Sequence, residues 1–412
     1  MMRGHGSSVR DVWSGAARKP GRMSEQRFWV MGWELVALAA LLLAAAAPAQ
    51  PGVTERASVS SSGDQADDAS QKPSISADGR YIAFESYASN LVADDLYGYC
   101  DIFVRDKQTG ATERVSVSSA GEEADNQSGE CAISADGRYV AFESVASNLV
   151  PGHTGYYWDI FVRDRLTGTT DLVSVSTSGD QGDDDSYGPA ISADGRYVAF
   201  YAVASNLVAG DTNGVLDVFV RDRLAGTTER VSVSSSGEEG DDQSGSSCIS
   251  ADGRYVAFSS DATNLVPGDT NNQDDIFVRD RLAGTTVRAS ISSSGEEADG
   301  VSRFPSITAD GRYVAFQCNG TNLVPDDTNY GSDVFVHDLL GGTTERVSVS
   351  SCGGEANDGC SLASISPDGR YVTFYSIASN LVQGDTNECA DVFIHDRLSG
   401  ITERVSVSSA GE

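Results

Sequence analysis

The chain has 412 residues, with 29 Lys plus Arg against 60 Asp plus Glu, a formal charge of −31. A surface this negative repels phosphates and excludes a nucleic-acid binder. Hydrophobic residues at 40% supply enough apolar surface for a core, which excludes wholesale disorder.

Residues 35–47 read LVALAALLLAAAA, followed by Ala47-Pro48-Ala49 and Gln50. A basic leader, an apolar run of this length and a small-x-small site predict a secretory signal over residues 1–49. The run is short for a membrane span of about 20 residues, and extending it upstream through residues 28–33 would bury Glu34. No Cys follows it for a lipid anchor, and no Arg-Arg pair precedes it. The leader is long, so Met23 is the expected start. Cleavage removes six basic and three acidic residues, leaving 23 and 57, a charge of −34. The mature chain, residues 50–412, is expected to be secreted or periplasmic, monomeric and without a membrane span.

The rest is one unit repeated six times. Asp-Gly-Arg-Tyr begins at Asp78, Asp136, Asp194, Asp252, Asp310 and Asp368, always 58 residues apart. A strict period of this length signifies a repeat architecture rather than separate domains. No amphipathic helix pattern occurs in the unit. In the second unit, Ala132-Ile133-Ser134 is a short apolar run before an Asp-Gly turn at 135–138, where Gly supplies φ > 0. Tyr139–Ser144 (YVAFES) and Asp159–Asp164 (DIFVRD) are apolar on both faces, as strands buried between neighbours should be. A loop over 145–158 joins them. Residues 172–178 (LVSVSTS) alternate apolar and Ser, which predicts a strand with one wet face.

Four antiparallel strands per unit, six times over, predict an all-β six-bladed β-propeller of four-stranded blades with a 58-residue repeat. The outer-strand sequence occurs seven times, from Thr54 to Thr402, so one terminal copy completes a blade and the other is surplus. An open solenoid, the alternative, would expose a long flat edge.

The unit ISADGRYVAFES…DIFVRDRLTGTTERVSV resembles the TolB-like propeller repeat over about residues 53–412. No Trp-Asp pair ends the strands, as in true WD repeats. TolB proteins carry an additional N-terminal α/β domain, for which Gln50 to Val53 leaves no room. The resemblance therefore implies fold more than activity.

Arg80, Arg138, Arg196, Arg254, Arg312 and Arg370 follow the turns, and Asp106, Asp164, Asp222, Asp280, Asp338 and Asp396 end the third strands. They predict a ring of Arg–carboxylate pairs at one end of the blades, each worth about 0–1 kcal/mol. The Tyr of each Arg-Tyr is expected to pack between blades. The opposite face collects the inter-blade loops, with 19 of the 57 mature acidic residues. Its long loops add Asp211, Asn213 and Asp217; Asp269, Asn271 and Asp275; Asp327, Asn329 and Asp333; and Asp385, Asn387 and Asp391. Asp-x-Asn-x-x-x-Asp gathers hard oxygen donors on a short loop, which suits Ca²⁺. It is not an EF-hand, because Leu216 stands where that loop needs Gly. The plainer reading is turn capping by Asp and Asn and solubility. Unit 1 keeps Asp95 and Asp101, and unit 2 has His153 in place of the first Asp.

Seven Cys suit an oxidising compartment. Cys352 with Cys360, and Cys100 with Cys131, are the candidate pairs. Catalysis has little support: no Gly-x-Ser-x-Gly elbow occurs, and His337 and His395 stand where other units have Arg. The expectation is a non-enzymatic propeller binding a protein or glycan partner on its acidic loop face, with Ca²⁺ ordering the loops. The alternatives are a propeller hydrolase or lyase acting on extracellular polysaccharide or peptide, and a TolB-like envelope scaffold.

Overall fold

The computed structural model describes residues 53–387 and 389–411. The signal segment lies outside them. The described residues form 24 strands in six four-stranded sheets. The blades span residues 70–114, 128–172, 186–230, 244–288, 302–346 and 360–404. In every blade the strands follow chain order and are antiparallel. The sheets stand in a ring, and from blade 1 through blade 6 each first strand meets the first strand of the next blade near the axis. No helix among the described residues is long and apolar enough to cross a membrane.

The both-face apolar pattern of the second and third strands is explained by the packing. Buried apolar clusters fill the five junctions between consecutive blades. Within each blade a Phe from each of these two strands pairs at 5.8–6.1 Å between ring centroids. Burial of each Phe contributes about 1.5–3 kcal/mol. Five of the six Tyr residues, all but Tyr371, pack against a glycine of the next blade as expected. Tyr197 lies against Gly253 of the next blade, where a Cβ would sit 2.1 Å from the ring. Arg196 and Arg281 stack on that ring at 4.7 and 4.6 Å.

The outer strand differs from expectation. It is Thr169–Leu172 in blade 2, ahead of the predicted segment. Val173 still donates to Ile160 O, at 2.7 Å. The Ser face is buried at Ser174 and Ser176, and only Ser178 is exposed. Ser174 is fully buried, accepts from Ile160 N–H and donates to Asp159 Oδ1 at 2.6 Å. The alternation thus separates apolar packing from hydrogen bonding.

After each outer strand the chain crosses to the next blade and bonds its outer strand. Thr170 N–H donates to Ser119 Oγ, and its hydroxyl to Val117 O. Thr402 of blade 6 is held likewise by Ser351 and Val349. The circuit is completed where Thr54 donates to Ser409 Oγ at 3.0 Å and to Val407 O at 2.7 Å. All seven Cys are unpaired. Cys360 and Cys318 replace the Ser of a repeated Ser–Ser pair, and Cys360 donates to Ser376 Oγ. Burial pushes the Cys100 thiol up to about 12, which leaves it unreactive.

Candidate functional site

The expected rim of Arg–carboxylate pairs is present in all six blades. Arg138 grips Asp164 with Nε–Oδ1 at 2.9 Å and Nη2–Oδ2 at 2.6 Å, and the other five repeat this bidentate geometry. The guanidinium holds each Asp below its ordinary range, Asp222 at about 2. His337 and His395 bond Thr344 and Thr402, as Arg163 bonds Thr170. They are structural substitutes.

On the opposite face the candidate metal loops converge on a cation the chain supplies itself. In blade 3, Asp211 and Asp217 meet Glu239 from the following linker, with ligand oxygens within 4.8 Å of one another. Arg230, at the end of the outer strand, reaches all three, at 3.6, 3.2 and 2.5 Å. Blades 4 and 5 repeat the set as Asp269, Asp275, Glu297 with Arg288, and Asp327, Asp333, Glu355 with Arg346. Blade 1 has Asp95, Asp101, Glu123 with Arg114. Arg404 takes Asp385 and Asp391, both at 3.2 Å. Asn213, Asn271, Asn329 and Asn387 turn their amide nitrogens toward the second Asp. The Asn213 oxygen accepts Val215 N–H instead.

These groups divide one charge economy. Burial, with the Asp217 charge beside it, pushes Asp211 up to about 6. Burial also opposes ionisation of Glu239, but Thr212 and Arg230 outweigh it and hold Glu239 at about 2. Blade 2 keeps the second Asp, Asp159, and exchanges the other three members. Leu172 replaces the Arg, Gln181 the Glu and His153 the first Asp. His153 Nε2 and Gln181 Nε2 both bond Asp159 Oδ2 at 2.8 Å. His153 is therefore not alone in its loop. It is buried and meets Phe161 edge-on.

The other linker acids have local tasks. Asp125 accepts from Ser147 N–H and Oγ, and Asp183, Asp241 and Asp299 do the same one blade on. Each pins a linker to a long loop. Above this base, the long-loop tips differ between blades. They expose Tyr97 (57%), Tyr156 (82%) and Tyr330 (85%).

Repeat symmetry breaks at the loop-face end of the inner strands of blades 1–3. Lys72 pairs with Glu130 at 2.9 Å and lies 3.9 Å from Glu85. Glu85 accepts Glu130 N–H, and Glu143 accepts Gly188 N–H. Both carboxylates face Gly129. Burial pushes Glu143 up to about 7. The later units have Tyr201, Ser259, Gln317 and Tyr375 at the positions of Glu85 and Glu143, so alignment of the units exposes this cluster.

No family model matches the sequence, and no curated protein matches it. The fold is that of solved β-propellers. The propeller domain of the trilobed protease from Pyrococcus furiosus is 12% identical, with TM-score 0.50, covering 82% of this chain and 84% of that one. An oligogalacturonate lyase from Vibrio parahaemolyticus is 12% identical, with TM-score 0.49, over 82% and 78%. TolB from Acinetobacter baumannii is 17% identical, with TM-score 0.43, over 79% of this chain, which spans 63% of that TolB. Fold and site define a six-bladed β-propeller whose acidic loop face is braced by an Arg in five of its six blades.

Proposed function

We propose that residues 50–412 form a secreted or periplasmic, non-enzymatic propeller that binds a protein or glycan partner through its loop face. The observation that carries this reading is the set of exposed Tyr97, Tyr156 and Tyr330. They stand on loops whose bases are pinned and whose sequences differ between blades. Tyrosine offers a large apolar face and a hydroxyl at low entropic cost, which suits recognition. The experiment is retention of the protein on a panel of immobilised polysaccharides and peptides. The variant Y97S/Y156S/Y330S should lose at least about tenfold in affinity, the worth of roughly 1.4 kcal/mol, with an unchanged melting temperature. Unaltered retention sinks the reading.

Calcium ordering of the loops belongs to the same proposal. It requires Arg230 and its counterparts to swing out, freeing Asp211, Asp217 and Glu239 as oxygen ligands. Isothermal titration with no heat, and no melting shift at millimolar Ca²⁺, removes it.

A second reading, a hydrolase or lyase, is favoured by Lys72, Glu85, Glu130 and Glu143. A carboxyl raised to about 7 is placed to give or take a proton near neutral pH. Product release from the same panel, abolished in Glu143→Gln, would establish it.

A further inference from the structure

The blade–blade junction is built five times from the same parts, and its two halves stand uncovered between blade 6 and blade 1. On the blade 6 side Val392 is 40% exposed, whereas its counterparts Ile102, Ile160, Val218, Ile276 and Val334 are 0%. Val405 is 44% exposed against 1% for Val115. On the blade 1 side Ile75 is 59% exposed against 7% for Ile133. Tyr371 meets no glycine of a following blade, unlike Tyr313 against Gly369. Glu403 has no ion pair among the described residues, whereas its counterpart Glu345 holds Arg397.

The outer rim says what belongs there. Each linker bonds the outer-strand Thr of the next blade, as Val59 and Ser61 bond Thr112. Val407 and Ser409, exactly six periods beyond Val59 and Ser61 in sequence, make that same pair of bonds to Thr54. Thr54 is one period before Thr112. One rim position therefore lies between blade 6 and blade 1, and residues 54–57 occupy its outer strand with no sheet of the described residues behind them. Thr54 is exposed where Thr112 is buried.

We infer that this seam is a seventh blade position, which accepts a three-stranded antiparallel sheet of polypeptide with the repeat's own pattern and uses residues 54–57 as its outer strand. The occupant must be apolar on both faces, to cover Val392 and Val405 on one side and Ile75 on the other. It must place glycine against Tyr371, a basic residue at Glu403 and a carboxylate at Arg404. A second copy offers only its own four-stranded blades and no free three-stranded sheet, so it does not meet these demands. Pro367 has no N–H, so the blade 6 side offers one inter-blade hydrogen bond fewer than the others, in which Ala309 donates to Pro367 O.

The test appends a copy of residues 239–280, which continues the repeat register after Glu412, to the mature chain. The added strands should resist proteolysis and raise the melting temperature by about 5 °C or more. The unextended chain should enhance anilinonaphthalene sulfonate fluorescence, and the added strands should abolish that signal. Deleting residues 54–57 should cancel the gain. An added tail that is digested away, with the melting temperature unchanged, overturns the inference. So does rapid oxidative cross-linking of the unextended I75C/V392C variant, because the ring would then close on itself. A dimer of the unextended chain that binds no dye would also overturn it.

Discussion

Gly253 shows how much one atom matters in this ring. Its φ is +73°, and a Cβ there would lie 2.1 Å from the Tyr197 ring of the preceding blade. Gly253→Ala should therefore cost more than about 2 kcal/mol, from left-handed strain plus a displaced tyrosine. Gly268, at φ +81° with open space around it, should cost only about 1–2 kcal/mol on the same change. Thermal melts of the two variants check the difference. The rim pairs make a pH prediction. Arg196 holds Asp222 at about 2, below the ordinary 3.8. Its stabilisation is present above pH 3.8 and is lost as pH falls through about 2. Asp222→Asn should thus lower the melting temperature at pH 7, with the deficit shrinking toward zero in strong acid. A deficit independent of pH would assign the effect to packing.

At the scale of the element, the end of the outer strand and the long loop form one electrostatic unit. Arg288 is buried among Asp269, Asp275 and Glu297. Arg288→Leu alone should cost about 3–5 kcal/mol, because it strands buried carboxylates. Adding Asp269→His and Glu297→Gln recreates the set found in blade 2 and should recover most of that loss. Failure of the triple variant to exceed the single one in stability would contradict the assignment. The sequence held this signal: unit 2 is the one unit in which Leu172 replaces the Arg, and it also carries His153 and Gln181. The carboxylate spacing was legible, but the counter-ion lies on the outer strand, outside the loop motif. The strand type was legible for Tyr139–Ser144 and Asp159–Asp164 because burial on both faces leaves an apolar run. The outer strand was misplaced because a serine that bonds a buried Asp reads like a serine that faces water.

Across the whole molecule, strict 58-residue spacing made six blades legible without any relative. The surplus seventh outer strand was also legible, but its consequence was not. The register of Thr54 against Val407 and Ser409 places an outer-strand segment at the seam between blade 6 and blade 1. The acidity reads differently after folding. Much of the loop-face acid is committed to Arg partners and to loop pinning, which leaves exposed tyrosines as the distinguishing surface of the loop tips. The most direct test of that account is a combined binding and turnover measurement of residues 50–412 on polysaccharides and peptides. The account predicts retention that depends on Tyr97, Tyr156 and Tyr330, with substrate recovered intact. Release of product, lost on Glu143→Gln and indifferent to the three tyrosines, would contradict it.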